Sequence, residues 1–313
     1  MTKKIALVFP GQGSQSVGML SAFADTPAVR RTFDEASEAL GENLWALAQQ
    51  GPEDKLNDTR WTQPALLAAG VAVFRAWQEK SGAAPVFMAG HSLGEYSALV
   101  AAGALSLADG VRLVAERGRL MQEAVPPGTG AMAAILGLDD EPVRAACAAA
   151  AQGDVVSAVN LNAPGQVVIA GTKAAVERAI EACKAAGAKR AVALPVSVPS
   201  HCALMQPAAE RLAVRLRDIA IGVPSVPVLN NVDVAVAATP DAIRDALVRQ
   251  LHSPVRWVET VTRLSDGGVN LVIECGPGKV LSGLNKRIAK DAECLCVQDP
   301  ASLEAALAAA RGG

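Results

Sequence analysis

The chain has no CxxC pair, no excess of basic residues and no apolar run long enough to span a membrane. Each absence excludes something. The six cysteines stand at 147, 183, 202, 275, 294 and 296. Cys294 and Cys296 lie too close together for a structural zinc pair and lack a second half. Thiols in a reducing cytosol are expected, and no metal. Lys plus Arg total 29 and Asp plus Glu 31, a formal net charge of −2. No nucleic-acid partner is expected from that balance. The N-terminal apolar run, Ile5 to Phe9, stops at Pro10, too short for a signal-peptide core. The uncharged stretch Ser97 to Ala108 contains Gly103 and two serines. It falls short of the ~20 residues a membrane span needs. Ala191 to Ala209 is also uncharged but carries three prolines and a histidine. The expectation is a soluble cytoplasmic protein that does not enter a membrane.

What is present is a core-forming composition. The 313 residues are 51% apolar and 19% charged, enough for one large domain or a large domain with a small insertion. Residues 5–9 and 85–89 read as short buried strands, and 27–50 and 62–77 as helices, the second with Pro64 near its start. Strands alternating with helices predict a three-layer, mainly parallel α/β sheet.

Residues 131–197 read differently. Strands over 131–138, 155–160, 166–170 and 190–196 alternate with helices from about 141 and over 174–186. The order is βαββαβ, the ferredoxin-like split motif. It follows Val125-Pro126-Pro127-Gly128, a suitable linker. The prediction is therefore a discontinuous catalytic domain, 1–127 and 198–313, with a small ferredoxin-like α+β subdomain inserted at 128–197. Further strands are expected at 226–230 and 269–275, and an Ala-rich helix at 302–311.

The sharpest chemical signal is Gly90-His91-Ser92-Leu93-Gly94. It fits G-x-S-x-G between a predicted strand and a predicted helix, the context that motif requires. Such a turn lifts the Ser92 hydroxyl to the sheet edge and leaves the Leu93 N–H free to face an oxyanion. A serine nucleophile needs a base. Three histidines exist. His91, across the tight turn, suits a structural role. His252 sits at a helix end. His201 follows a strand at the return from the insertion, where loops often carry active-site residues. His201 and His252 both stay open, with the edge to His201. No acidic residue between Ser92 and either histidine has a compelling context, so the histidine's orienting partner is expected to be a neutral acceptor.

In the helix from Leu107 to Ala124, Arg112 and Glu116 are four apart and can pair on a solvated face. Arg117 lies about 100° further round than Glu116, so it can point inward. Solvated charge is the commoner fate of such residues. An inward arginine beside a serine nucleophile would select an acyl group bearing a carboxylate.

The Gly-rich loop after the first strand, Gly11-Gln12-Gly13-Ser14-Gln15-Ser16, lacks the third glycine of the dinucleotide fingerprint. Gly13 and Gly18 have P-loop spacing, but Met19 and Leu20 stand where Lys and Ser or Thr belong. Its glycines fit close backbone approach to a small reacting group.

Six motifs in order carry a resemblance that runs nearly end to end: FPGQGSQ at 9–15, TQPAL at 62–66, GHSLGE at 90–95, RG at 117–118, PSH at 199–201 and GPGKVL at 276–281. With them the chain resembles the malonyl-CoA:acyl carrier protein transacylases of type II fatty acid synthesis. The resemblance implies a hydrolase-like core and a malonyl group passed from coenzyme A to the phosphopantetheine thiol of acyl carrier protein. It implies Ser92 as the acylated nucleophile and His201 as its base, oriented by the Gln250 main-chain carbonyl. Gln12 and Leu93 would offer N–H groups to the oxyanion. Arg117 would clamp the malonyl carboxylate, and Asn160 and Ser200 would line the pocket. Coenzyme A enters as part of a substrate, and no cofactor is implied. Malonyl-CoA and the carrier are the partners, the chain working as a monomer. Lys184, Lys189 and Arg190, or Lys286 and Arg287, are candidates to meet an acidic carrier, although solvated charge is the commoner reading of each. Acyltransferase domains of modular synthases share GHSxG and take other acyl units; Ser200 and Arg117 favour malonyl. Competing readings are a serine esterase or thioesterase, malonyl transfer within a malonate decarboxylase complex, and a nucleotide-binding module.

Overall fold

A computed structural model describes residues 3–196 and 198–312. Position 197, the expected end of the insertion, lies outside the described residues. So do the two ends of the chain, Met1-Thr2 and Gly313.

The chain begins with β1 (Ile5–Phe9), followed by α1 (Pro27–Leu40), α2 (Leu44–Gln50), α3 (Glu53–Asn57) and α4 (Thr59–Glu79). Then come β2 (Phe87–Gly90), α5 (Leu93–Ala101) and α6 (Leu107–Ala124). The next six elements are β3 (Gly130–Leu136), α7 (Asp140–Ala151), β4 (Val156–Ala163), β5 (Gln166–Thr172), α8 (Lys173–Ala185) and β6 (Arg190–Ala193). The remainder comprises α9 (Gln206–Arg217), β7 (Val228–Leu229), α10 (Pro240–Gln250), α11 (Trp257–Asp266), β8 (Leu271–Cys275), α12 (Val280–Ile288), β9 (Glu293–Val297) and α13 (Pro300–Arg311).

The main sheet has the order β7-β2-β1-β8-β9, and every pairing in it is parallel. All five residues of β1 are buried. Ile5, Leu7 and Phe9 join one core cluster, while Ala6 and Val8 join another. Alternate side chains thus enter opposite layers, which is why the strand reads as a continuous apolar run. The second sheet is antiparallel with the order β4-β5-β3-β6. With α7 and α8 packed on it, this is the ferredoxin-like arrangement, and it encloses its own core around Ile135, Val143, Ile169 and Val176. The segment before α11 pairs with β4 of the second sheet through Val255. Leu161 N–H donates to the Val255 carbonyl at 3.0 Å, and Val255 N–H to the Val159 carbonyl at 2.8 Å.

Several expected boundaries move for local reasons. The helix read over 27–50 is two helices, broken at Gly41, whose φ of 73° ends α1 in a left-handed cap. The helix read from 62 starts at Thr59, because the Asp58 side chain caps it by accepting from Arg60 N–H. Pro64 consequently sits inside α4 rather than in its first turn. The strand read over 226–230 shortens to two residues. The Cys294-Leu295-Cys296 stretch is part of a strand that was not anticipated, β9.

Candidate active site

β1 and β2 run side by side with Phe9 opposite Gly90. The loop after one and the turn after the other therefore leave the same sheet edge together. Ser92 sits at the head of α5 with φ 50° and ψ −107°, a left-handed conformation that costs a non-glycine residue energy. The flanking glycines make the turn possible. A Cβ on Gly90 would lie 1.8 Å from the Gly94 backbone carbon, and one on Gly94 would lie 2.0 Å from the Phe9 carbonyl oxygen. A Cβ on Gly11 would stand 2.5 Å from the His91 carbonyl oxygen. That glycine is what lets the first loop press against the serine turn.

Ser92 Oγ and His201 Nε2 are 2.7 Å apart. His201 Nδ1 lies 2.7 Å from the main-chain carbonyl of Gln250. A carbonyl can only accept, so Nδ1 carries the proton. Burial first, and Arg117 second, hold His201 down to about 3, so the ring is neutral. Neutral and protonated on Nδ1, it must offer the Nε2 lone pair to the serine hydroxyl. His201 too has a positive φ, of 64°. The base and the nucleophile are the two strained partners of one hydrogen bond. His252, the other candidate base, is absent from this contact.

Arg117 is 1% exposed. Its Nη2 donates to Ser92 Oγ at 3.1 Å and to Gln250 Oε1 at 3.0 Å, and its Nη1 to Gln63 Oε1 at 2.9 Å. The guanidinium carbon lies 5.3 Å from the Tyr96 ring centroid. No carboxylate forms an ion pair with it among the described residues, and its Nε has no hydrogen-bond partner there. Gly118 seats this arginine. A Cβ there would come 2.6 Å from the Thr59 carbonyl oxygen, so α6 approaches the start of α4 only because residue 118 is glycine. The Arg112–Glu116 pair that the spacing allows does not form. Arg112 donates to the Ala39 carbonyl at 2.9 Å, and Glu116 pairs with Arg119 instead.

A cavity of about 420 Å³ opens over these groups, lined by Gln12, Leu93, Asn160 and Ser200 as well as Ser92, Arg117 and His201. Neither the Gln12 nor the Leu93 N–H donates to a protein acceptor among the described residues. The Asn160 Oδ1 is buried without a partner among the described residues. His91, read as structural, also faces this cavity while its Nε2 meets Asn162 Oδ1 at 2.8 Å.

Three polar residues at the site carried no expectation. Gln63 and Glu95 lie inside the motifs TQPAL and GHSLGE, which was the available signal. Asn231 has no motif around it. It accepts from Ser92 N–H at 2.8 Å through Oδ1 and donates from Nδ2 to the Gly90 carbonyl at 2.7 Å.

This chain belongs to the acyl transferase family: the model of the acyl transferase domain matches residues 6–299. It is similar to the malonyl CoA-acyl carrier protein transacylase of Escherichia coli K12, at 62% identity over 97% of this chain and 99% of that protein. The protein of the same description from Bacillus subtilis is 48% identical over 97% of this chain and 96% of its own length. Among solved structures, an acyl carrier protein S-malonyltransferase from Vibrio cholerae superposes with a TM-score of 0.95 at 60% identity, covering 96% of this chain and 99% of that one. A malonyl-transacylase solved in complex with its type II PKS acyl-carrier protein gives 0.96 at 60% identity, over 98% and 99% of the two chains.

Proposed function

We propose that this protein moves a malonyl group from coenzyme A to the phosphopantetheine thiol of acyl carrier protein, through a malonyl ester on Ser92. The observation that carries the reading is Arg117, a buried guanidinium beside the nucleophile with no carboxylate in contact among the described residues. An unpaired buried charge is costly, so a site that keeps one is built for a ligand of opposite sign. A malonyl carboxylate supplies it. Relatives described as malonyl transacylases at up to 62% identity support the same substrate and the same carrier.

The reaction has two halves. Ser92 Oγ attacks the thioester carbonyl as its proton passes to His201 Nε2, and the Gln250 carbonyl steadies the imidazolium that forms. The N–H groups of Gln12 and Leu93 receive the oxyanion, the second at the N-terminus of α5, where the helix dipole favours negative charge. The C–S bond breaks, and His201 returns its proton to the departing thiolate. The carrier's thiol then gives its proton to His201 and attacks the serine ester. The C–O bond breaks, and Ser92 Oγ recovers the proton. Asn160 and Ser200 line the path of the acyl chain. Atoms and charge balance with no metal or cofactor in either half. The thioester is already activated, so positioning and the oxyanion donors do most of the work.

We assign 128–197 as the small subdomain and 1–127 with 198–313 as the catalytic one, supported by the separate sheets and cores. No helix among the described residues is long and apolar enough to cross a membrane, and we place the protein in the cytoplasm as a monomer. The test is a coupled mass measurement with malonyl-CoA and carrier protein bearing its phosphopantetheine arm. Malonyl-carrier should accumulate. Free malonate with unmodified carrier would indicate a thioesterase instead.

A further inference from the structure

Beneath the reacting groups lies a buried polar cluster whose side chains take no part in the steps above. Glu95 is 2% exposed, and Gln250 and Asn231 are fully buried. One oxygen of Glu95, Oε2, accepts from Gln250 Nε2 at 2.8 Å and from Asn231 N–H at 2.9 Å. The orientation of the Gln250 amide then follows from chemistry alone. A guanidinium only donates and a carboxylate oxygen accepts, so Oε1 must face Arg117 and Nε2 must face Glu95. The same Nε2 lies 3.1 Å from the Ser92 carbonyl. Gln250 thus contacts the acyl clamp with Oε1, the base with its main-chain carbonyl, and the nucleophile turn with Nε2. Asn231 spans that turn from Gly90 to Ser92.

We propose that Glu95 is a positioning residue for the acyl transfer: it fixes the Gln250 side chain, and through it sets Ser92, His201 and Arg117 in one register. Glu95 touches neither substrate nor reacting atom. It lies on the far side of an amide from Arg117 and makes no ion pair with it among the described residues, so the guanidinium's cavity face stays open. A direct ion pair would occupy that face. Burial pushes Glu95 up to about 7, and both of its contacts in the cluster are hydrogen bonds that it accepts. A glutamine side chain supplies an acceptor oxygen as well.

This inference rests on the acyl-transfer reading, and the two can fail separately. The readout is the single-turnover rate of malonyl uptake on Ser92 from malonyl-CoA, per folded site. Uptake by the parent protein supports the transfer reading whatever the Glu95 variants do. Glu95→Ala is expected to slow uptake about tenfold. In a Gln250→Ala background, which keeps the main-chain carbonyl, the same change should cost less than about threefold, because the side chain it acts through is gone. Glu95→Gln should restore uptake to within about threefold of the parent. Equal losses from Glu95→Ala in both backgrounds would overturn the proposal, since a purely structural defect is additive. So would parent-like uptake by Glu95→Ala. If the alanine variant does not fold, Glu95→Gln decides: a folded glutamine protein slowed more than about tenfold contradicts the positioning role.

Discussion

The Nη2 of Arg117 stands 3.1 Å from Ser92 Oγ, so the buried cation and the nucleophile share one hydrogen bond. A substrate carboxylate placed on that guanidinium would bring its own acyl carbon to the serine. Binding and alignment become one event.

Arg117→Ala should therefore discriminate between acyl groups. A charge-assisted hydrogen bond is worth roughly 1.5–3 kcal/mol, which is about 10- to 150-fold in rate. Malonyl transfer should fall by that factor, and acetyl transfer, which has no carboxylate to lose, by far less. Competing malonyl-CoA and acetyl-CoA measure the ratio. Equal losses contradict the clamp.

The pH profile follows from the same neighbours. Burial and the adjacent guanidinium hold His201 down to about 3. Lowering a base's pKa extends its active, unprotonated form toward acid. The acid limb of kcat/KM for malonyl-CoA should lie well below 6.5, the ordinary value for histidine. Arg117→Gln removes a charge that opposes the imidazolium, so the limb should move up in pH. A parent limb near 6.5, or a downward move in the variant, contradicts this.

Gly11→Ala tests the first loop. The new Cβ would meet the His91 carbonyl at 2.5 Å, and backbone cannot yield cheaply there. The loop should lift from the serine turn and carry the Gln12 N–H with it. Losing one oxyanion donor costs about 10²-fold in kcat, and a loss of that order is expected with a folded protein by circular dichroism. Gly94→Ala, whose Cβ would lie 2.0 Å from the Phe9 carbonyl inside the sheet edge, should instead lower the melting temperature. Full activity in Gly11→Ala removes the loop from the mechanism.

Much of this was legible from residue types and spacing. The Gly90–Gly94 pentapeptide announces its own turn, because only glycine fits at both ends. The inward aim of Arg117 is a matter of helical angle, but its burial depends on Gly118 meeting Thr59, which no local pattern shows. His201 could be separated from His252 only by a modest argument until the Gln250 carbonyl was placed against it. Glu95 and Asn231 were missed because their partners lie far along the chain: Asn231 N–H reaches across 136 positions to Glu95. Hydrophobic periodicity finds which face is buried. It does not report which polar groups meet once that face has packed. The misplaced start of α4 has a nearer cause, the cap at Asp58 outweighing the apparent start signal at Pro64.

The most direct test is the intact mass of the protein after brief mixing with malonyl-CoA, followed by peptide mapping. One malonyl group should appear, on the peptide that contains Ser92, and it should be absent from Ser92→Ala. A malonyl adduct that persists in Ser92→Ala, or none on the parent protein, would contradict transfer through a malonyl-serine ester.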